Sequence, residues 1–142
     1  MRAQKTTVRP PVASPVQPGA PVLVIDDDLP GAIATEETLT AGGYDVEREP
    51  DGDAALRSVR GSLMRVVVSE LYIPCAEGQC VVAALKENRQ RIPRLSVVVY
   101  TRHAGAVDVE WALAAGADAL VFKSARGNVL LREVGRLLGA VA

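Results

Sequence analysis

Short runs of β-branched and aliphatic residues recur along this chain, and each ends abruptly in polar side chains. Val22-Leu23-Val24-Ile25 leads into Asp26-Asp27-Asp28, and Val66-Val67-Val68 leads into Ser69-Glu70. Val97-Val98-Val99-Tyr100 leads into Thr101, and Leu120-Val121-Phe122 into Lys123. Brief, almost wholly apolar runs bounded by turn residues are what strands covered on both faces require. Strands are expected at 22–25, 44–48, 65–69, 95–100 and 119–122. Longer stretches between them read as helices at about 30–41, 52–60, 78–90, 104–115 and 126–139. In the last of these, Leu130, Leu131, Val134, Leu137 and Leu138 recur at helical spacing, with Arg132, Glu133 and Arg136 largely opposite. Strand–helix alternation with short links predicts one doubly wound α/β domain, a parallel sheet with helices on both faces. The carboxyl ends of parallel strands share an edge, so Asp26, Asp27, Glu70, Thr101 and Lys123 are expected to converge where open α/β sheets bind ligands. Carboxylates, a hydroxyl and an ammonium together suit a divalent cation and a phosphoryl group.

Bulk properties narrow the function classes. The chain has 142 residues, 49% of them hydrophobic, enough for one core. A net charge of −1 lacks the basic face that nucleic-acid binding needs, and one Trp, three Tyr and one Phe make no base-stacking platform. No apolar stretch nears the ~20 residues that span a bilayer. Without an apolar signal-peptide core at the N-terminus, a cytoplasmic location is expected. Cys75 and Cys80 are too few for a disulfide scaffold or a four-ligand zinc site and read as ordinary thiols. Residues 1–20 stand apart. They hold Pro10, Pro11, Pro15 and Pro18, and Arg2, Lys5 and Arg9 without a single acid. That composition is expected of a disordered tail, with the folded domain spanning 21–142.

The stretches PVLVIDDD, GYDVEREPDGDAAL, VVVSELYIP, VVVYT and ALAAGADALVFK, followed by an amphipathic helix, resemble the receiver domain of two-component response regulators. The resemblance covers about residues 21–139, and Asp27, Gly43-Tyr44, Thr101, Gly116 and Lys123 keep the family's intervals. It implies a five-stranded flavodoxin-like (βα)5 fold with strand order 2-1-3-4-5, a signalling module and not an enzyme. Asp26 and Asp27 match the acidic pair that holds Mg²⁺ in the family, with the residue at 70 as a further ligand. Thr101 and Lys123 match the groups that bind phosphoryl oxygens. The phosphorylated aspartate of the family stands four residues before a proline, and before Pro74 the chain has Glu70.

Glu70 adds a methylene to the nucleophile, and a misplacement of ~1 Å costs on the order of 100-fold in rate. Its longer carboxylate either imitates a phosphorylated aspartate or merely fills the site. Arg102 stands where the family usually has a small residue, and its guanidinium is expected either to pair with Glu70 or Asp27 or to point into solvent. Two carboxylates ~4 Å apart repel by about 4 kcal/mol at an effective dielectric of 20, so the crevice needs a cation. Arg102, Lys123 and Mg²⁺ are the candidates. Leu120 replaces the aromatic residue that switches with the threonine in active receivers, and Ser124 replaces the usual proline. Tyr72 and His103 occupy positions that tune dephosphorylation in the family. Trp111 is expected to be half-buried, either in a core stripe with Val107 or as a partner anchor.

The expected function is an atypical receiver that signals by protein contact without phosphorylation. Its partner is a histidine kinase or a downstream effector, met through the fourth helix, fifth strand and fifth helix, where Trp111 and Leu120 lie. Homodimerisation through the same helices is open. A phosphoryl-accepting receiver is the alternative, and a metal- or nucleotide-binding α/β protein comes third. The missing Gly-rich phosphate loop counts against the third.

Overall fold

A computed structural model describes residues 21–60, 64–75, 80–87 and 95–139. The tail expected at 1–20 and the ends of the helix expected at 78–90 lie outside them. Five strands and five helices alternate: β1 (Pro21–Ile25), α1 (Leu29–Ala41), β2 (Asp45–Glu49), α2 (Gly52–Arg60), β3 (Val66–Ser69), α3 (Val81–Glu87), β4 (Ser96–Thr101), α4 (Ala106–Ala115), β5 (Ala119–Phe122) and α5 (Gly127–Gly139). The strands form one parallel sheet in the order β2-β1-β3-β4-β5, as expected. Val22 pairs with Val66 and Val66 with Ser96, so the amino ends of the three central strands are level. Their carboxyl ends therefore meet at one edge.

Side chains alternate across the strands and divide the core in two. Leu23, Ile25, Val67, Val97 and Val99 face α2, α3 and α4 and pack with Val59, Val82 and Leu85. Val22, Val24, Val66, Val68 and Val98 face α1 and α5 and pack with Leu39, Leu130, Val134 and Leu138. The central strands are buried along almost their whole length. β2 departs from that expectation: its sequence Asp-Val-Glu-Arg-Glu is largely exposed at the open edge of the sheet.

Local chemistry sets the ends of the helices that frame the site. Asp28 caps α1 by accepting the Gly31 N–H at 3.1 Å, and Pro30 follows in the first turn, where its missing N–H costs nothing. Gly116 closes α4 at φ 99°, a left-handed conformation that glycine adopts without strain. The Lys86 ammonium ties α3 to Asp118 at 3.0 Å, and Asp118 also accepts the Val97 N–H at 2.8 Å. These bonds fix the start of β5 against β4.

Candidate functional site

At the carboxyl edge of the sheet, Lys123 reaches back from the end of β5 across the ends of β4 and β3 to β1. Its Nζ lies 2.9 Å from Asp26 Oδ2 and 3.3 Å from Glu70 Oε1. All three side chains are largely shielded, with 18%, 4% and 11% of their surfaces exposed for Lys123, Asp26 and Glu70. Burial pulls the Lys123 pKa down, but the Asp26 and Glu70 carboxylates outweigh it and hold the ammonium above its ordinary value. The Tyr100 ring lies 5.7 Å from the same nitrogen and adds a cation–π contact.

The remaining carboxylate oxygens are also engaged. Asp26 Oδ1 accepts the Asp28 N–H at 2.9 Å, and Glu70 Oε2 accepts the Leu71 N–H at 2.8 Å. Glu70 thus folds back on its own backbone while its other oxygen meets Lys123. Thr101 is fully buried, and its hydroxyl accepts the His103 N–H at 3.0 Å. Its carbonyl accepts the Lys123 N–H at 2.8 Å, which joins the two residues expected to bind phosphoryl oxygens. Gly31 closes the crevice from above. A Cβ there would stand 2.8 Å from Asp28 Oδ2, 3.1 Å from Asp26 Oδ2 and 3.4 Å from Lys123 Nζ.

Asp26, Glu70 and Lys123 come together as expected, and Thr101 meets Lys123 through its carbonyl, its hydroxyl being turned to the His103 N–H. Asp27 is exposed, and with Asp26 it lines a groove of about 440 Å³ between α1 and the ends of β1 and β2, together with Leu29, Glu36, Arg48 and Pro50. No three acidic, histidine or cysteine side chains converge as a metal site among the described residues. With the Lys123 ammonium seated between Asp26 and Glu70, the donors as placed do not fit a divalent ion between those two carboxylates.

Of the two placements expected for Arg102, the pairing with Glu70 or Asp27 is not found and the largely solvent-facing one is. Its guanidinium approaches Asp28, not Glu70 or Asp27, at a long 3.5 Å, and the side chain is 64% exposed. Asp28 is held in reach by its capping role, whereas Glu70 is already satisfied by Lys123 and Leu71. Leu120 is partly buried and packs against the α2–α3–α4 half of the core. Val107 is 73% exposed, so it forms no core stripe with Trp111, which keeps 38% exposure.

Tyr72 and His103 belong to a second cluster beside the crevice. The Tyr72 ring meets His103 edge-on at 5.2 Å and Trp111 at 5.3 Å. Its hydroxyl donates a short hydrogen bond to Asp108, which also accepts the Gly105 N–H at 3.0 Å and so caps α4. That bond raises the Tyr72 pKa and lowers that of Asp108. Sequence reasoning missed Asp28, Tyr100 and Asp108. Two carried a legible signal, an acid three residues before Gly31 and a Gly-x-x-Asp start to α4. Tyr100 carried none.

A sequence model of the response regulator receiver domain matches residues 22–135. The chain belongs to the response regulator receiver domain family. It is 30% identical over 139 residues to the gliding motility regulatory protein of Myxococcus xanthus, covering 96% of this chain and 18% of that one. It is 32% identical over 121 residues to the transcriptional regulatory protein PrrA of Mycobacterium tuberculosis, covering 80% of this chain and 51% of PrrA. The receiver thus spans about half or less of the length of these relatives. The signal receiver domain of a signal transduction histidine kinase from Syntrophus aciditrophicus superposes with a TM-score of 0.75 at 25% identity, covering 87% of this chain and 92% of that one. Receiver domains serve two-component signalling, and that coarse role follows from membership. No helix among the described residues is long and apolar enough to cross a membrane.

Proposed function

We propose that this receiver signals by protein contact without phosphorylation at position 70, with Lys123 as the internal counter-ion in place of Mg²⁺. The observation that carries the reading is the ammonium of Lys123 set between Asp26 and Glu70 at 2.9 and 3.3 Å, while Glu70 Oε2 is taken by the Leu71 N–H. A phosphoacceptor needs an oxygen aimed along an open line of approach; here Glu70 Oε2 is folded back onto the Leu71 N–H and Oε1 faces the Lys123 ammonium. The partner is a signalling protein, a kinase or an effector, met on the side of the domain that carries α4. Trp111 is its anchor, as a large, partly exposed aromatic of the kind that dominates binding energy.

The test titrates Mg²⁺ and then beryllium fluoride, a phosphoryl mimic, while following the emission of Trp111, the chain's single tryptophan. Unchanged emission at millimolar Mg²⁺ and mimic supports the proposal. Saturable, Mg²⁺-dependent binding of the mimic overturns it and revives the phosphoryl-accepting reading, for which the positions of Thr101 and Lys123 speak.

A further inference from the structure

α4 is an apolar helix that the fold leaves mostly uncovered. Only Ala112 among its residues is buried, while Val107 and Trp111, one turn apart, lie open to solvent. The Tyr72 ring extends this surface from the β3–α3 connection and meets Trp111 at 5.3 Å. Asp108 and Glu110 flank the two apolar side chains, and α4 carries no Lys or Arg. The nearby cation Arg102 is drawn toward Asp28. Tilted aromatic rings with carboxylates on both flanks are the chemistry that recognises a proline-rich segment carrying a basic residue.

We propose that this patch docks the chain's own N-terminal segment, with Pro10-Pro11 against Tyr72 and Trp111 and the Arg9 guanidinium beside Asp108 and Glu110. Charge complementarity favours this occupant: residues 1–20 hold Arg2, Lys5 and Arg9 and no acid. Reach favours it too. Arg9 precedes Pro21 by twelve residues, about 37 Å at ~3.1 Å per residue of extended polyproline-type chain. The patch lies at the opposite end of the sheet, about 17 Å along the five residues of β1, about 10 Å across the two strand spacings to β4 and about 10 Å out to the helix layer, roughly 22 Å in a straight line. The docked segment covers Trp111, so it competes with any partner that uses this face. The inference does not depend on the role given to Lys123.

Acrylamide quenching of Trp111 in the full-length chain tests it. Arg9→Glu with Pro10→Ala and Pro11→Ala changes nothing in the sheet or its helices. It is expected to move the docked-to-undocked ratio about two- to fivefold toward undocked, the size of an exposed ion pair, and to raise quenching. Glu110→Arg placed opposite Arg9→Glu, with both prolines kept, is expected to restore protection. Equal quenching in the parent and the triple variant overturns the proposal. Protection that grows with protein concentration also overturns it, because the occupant is then a second copy's segment.

Discussion

α4 and α5 flank the same edge strand and are both rich in apolar residues, yet the fold uses them in opposite ways. α5 sets Leu130, Val134 and Leu138 four residues apart and buries all three against the sheet. α4 buries Ala112 alone and turns Val107, Trp111 and Leu113 outward. Their anchors differ as well. α5 follows Lys123, which is clamped between two shielded carboxylates, whereas the first turn of α4 is held by Asp108, tied to Tyr72 at the surface. Apolar content alone therefore does not make a helix structural. Periodicity marks the helix that holds the fold together, and apolar residues without it mark the one left free to meet something else.

The sharpest way to break this contrast is in α5. Leu130→Ala is expected to cost about 2–5 kcal/mol of unfolding free energy, measured by urea denaturation, because a fully buried leucine leaves a cavity. A cost under about 1 kcal/mol would remove the distinction between the helices. Next in size, Lys123→Met leaves Asp26 and Glu70 without their cation and is expected to cost roughly 1–3 kcal/mol. Adding Glu70→Gln should recover part of that loss; no recovery would mean that the pair is not coupled. The pKa of Lys123 is raised in the fold, so its contribution is complete below the ordinary lysine value of 10.5 and is lost as pH rises through the raised one.

Smaller still, Leu113→Ser should stay within about 0.5 kcal/mol, since this side chain faces solvent and is not part of the patch given to the N-terminal segment. A larger loss would show that this side of α4 is covered in solution. The smallest effect is spectroscopic. The pKa of Asp108 is lowered by its bond from Tyr72, so that contact persists above the ordinary value of 3.8 and is lost as pH falls through the lowered one. Trp111 emission should shift in that acid window, and Asp108→Asn should abolish the shift. A shift that survives the substitution would assign it to another group.

Where burial dictates residue type, the fold is legible in the sequence. The valine runs of β1, β3 and β4 announce central strands, and their polar ends announce a shared edge. β2 is harder to read because Val46 is its one apolar residue and Asp45, Glu47 and Arg48 are left exposed. In the site, Asp26, Glu70, Thr101 and Lys123 converge because the parallel sheet aligns strand ends, and spacing alone implied it. The partner of Arg102 was not legible: Asp28 is presented by a helix cap, and Glu70 is withdrawn by bonds to Lys123 and Leu71 that only the folded geometry reveals. The Tyr72–Asp108 bond joins residues 36 apart in sequence, and no local pattern records it.

The charged edge strand has a consequence for crowded solutions. An open sheet edge is a template on which another chain can add a strand, and apolar edges are where aggregation begins. On β2, Asp45, Glu47 and Arg48 are exposed, so a neighbour approaching in register would bring like charges together and strip water from them. This edge resists fibre-like growth at high concentration. The opposite edge strand, β5, is apolar in sequence, so this protection belongs to the β2 side of the sheet.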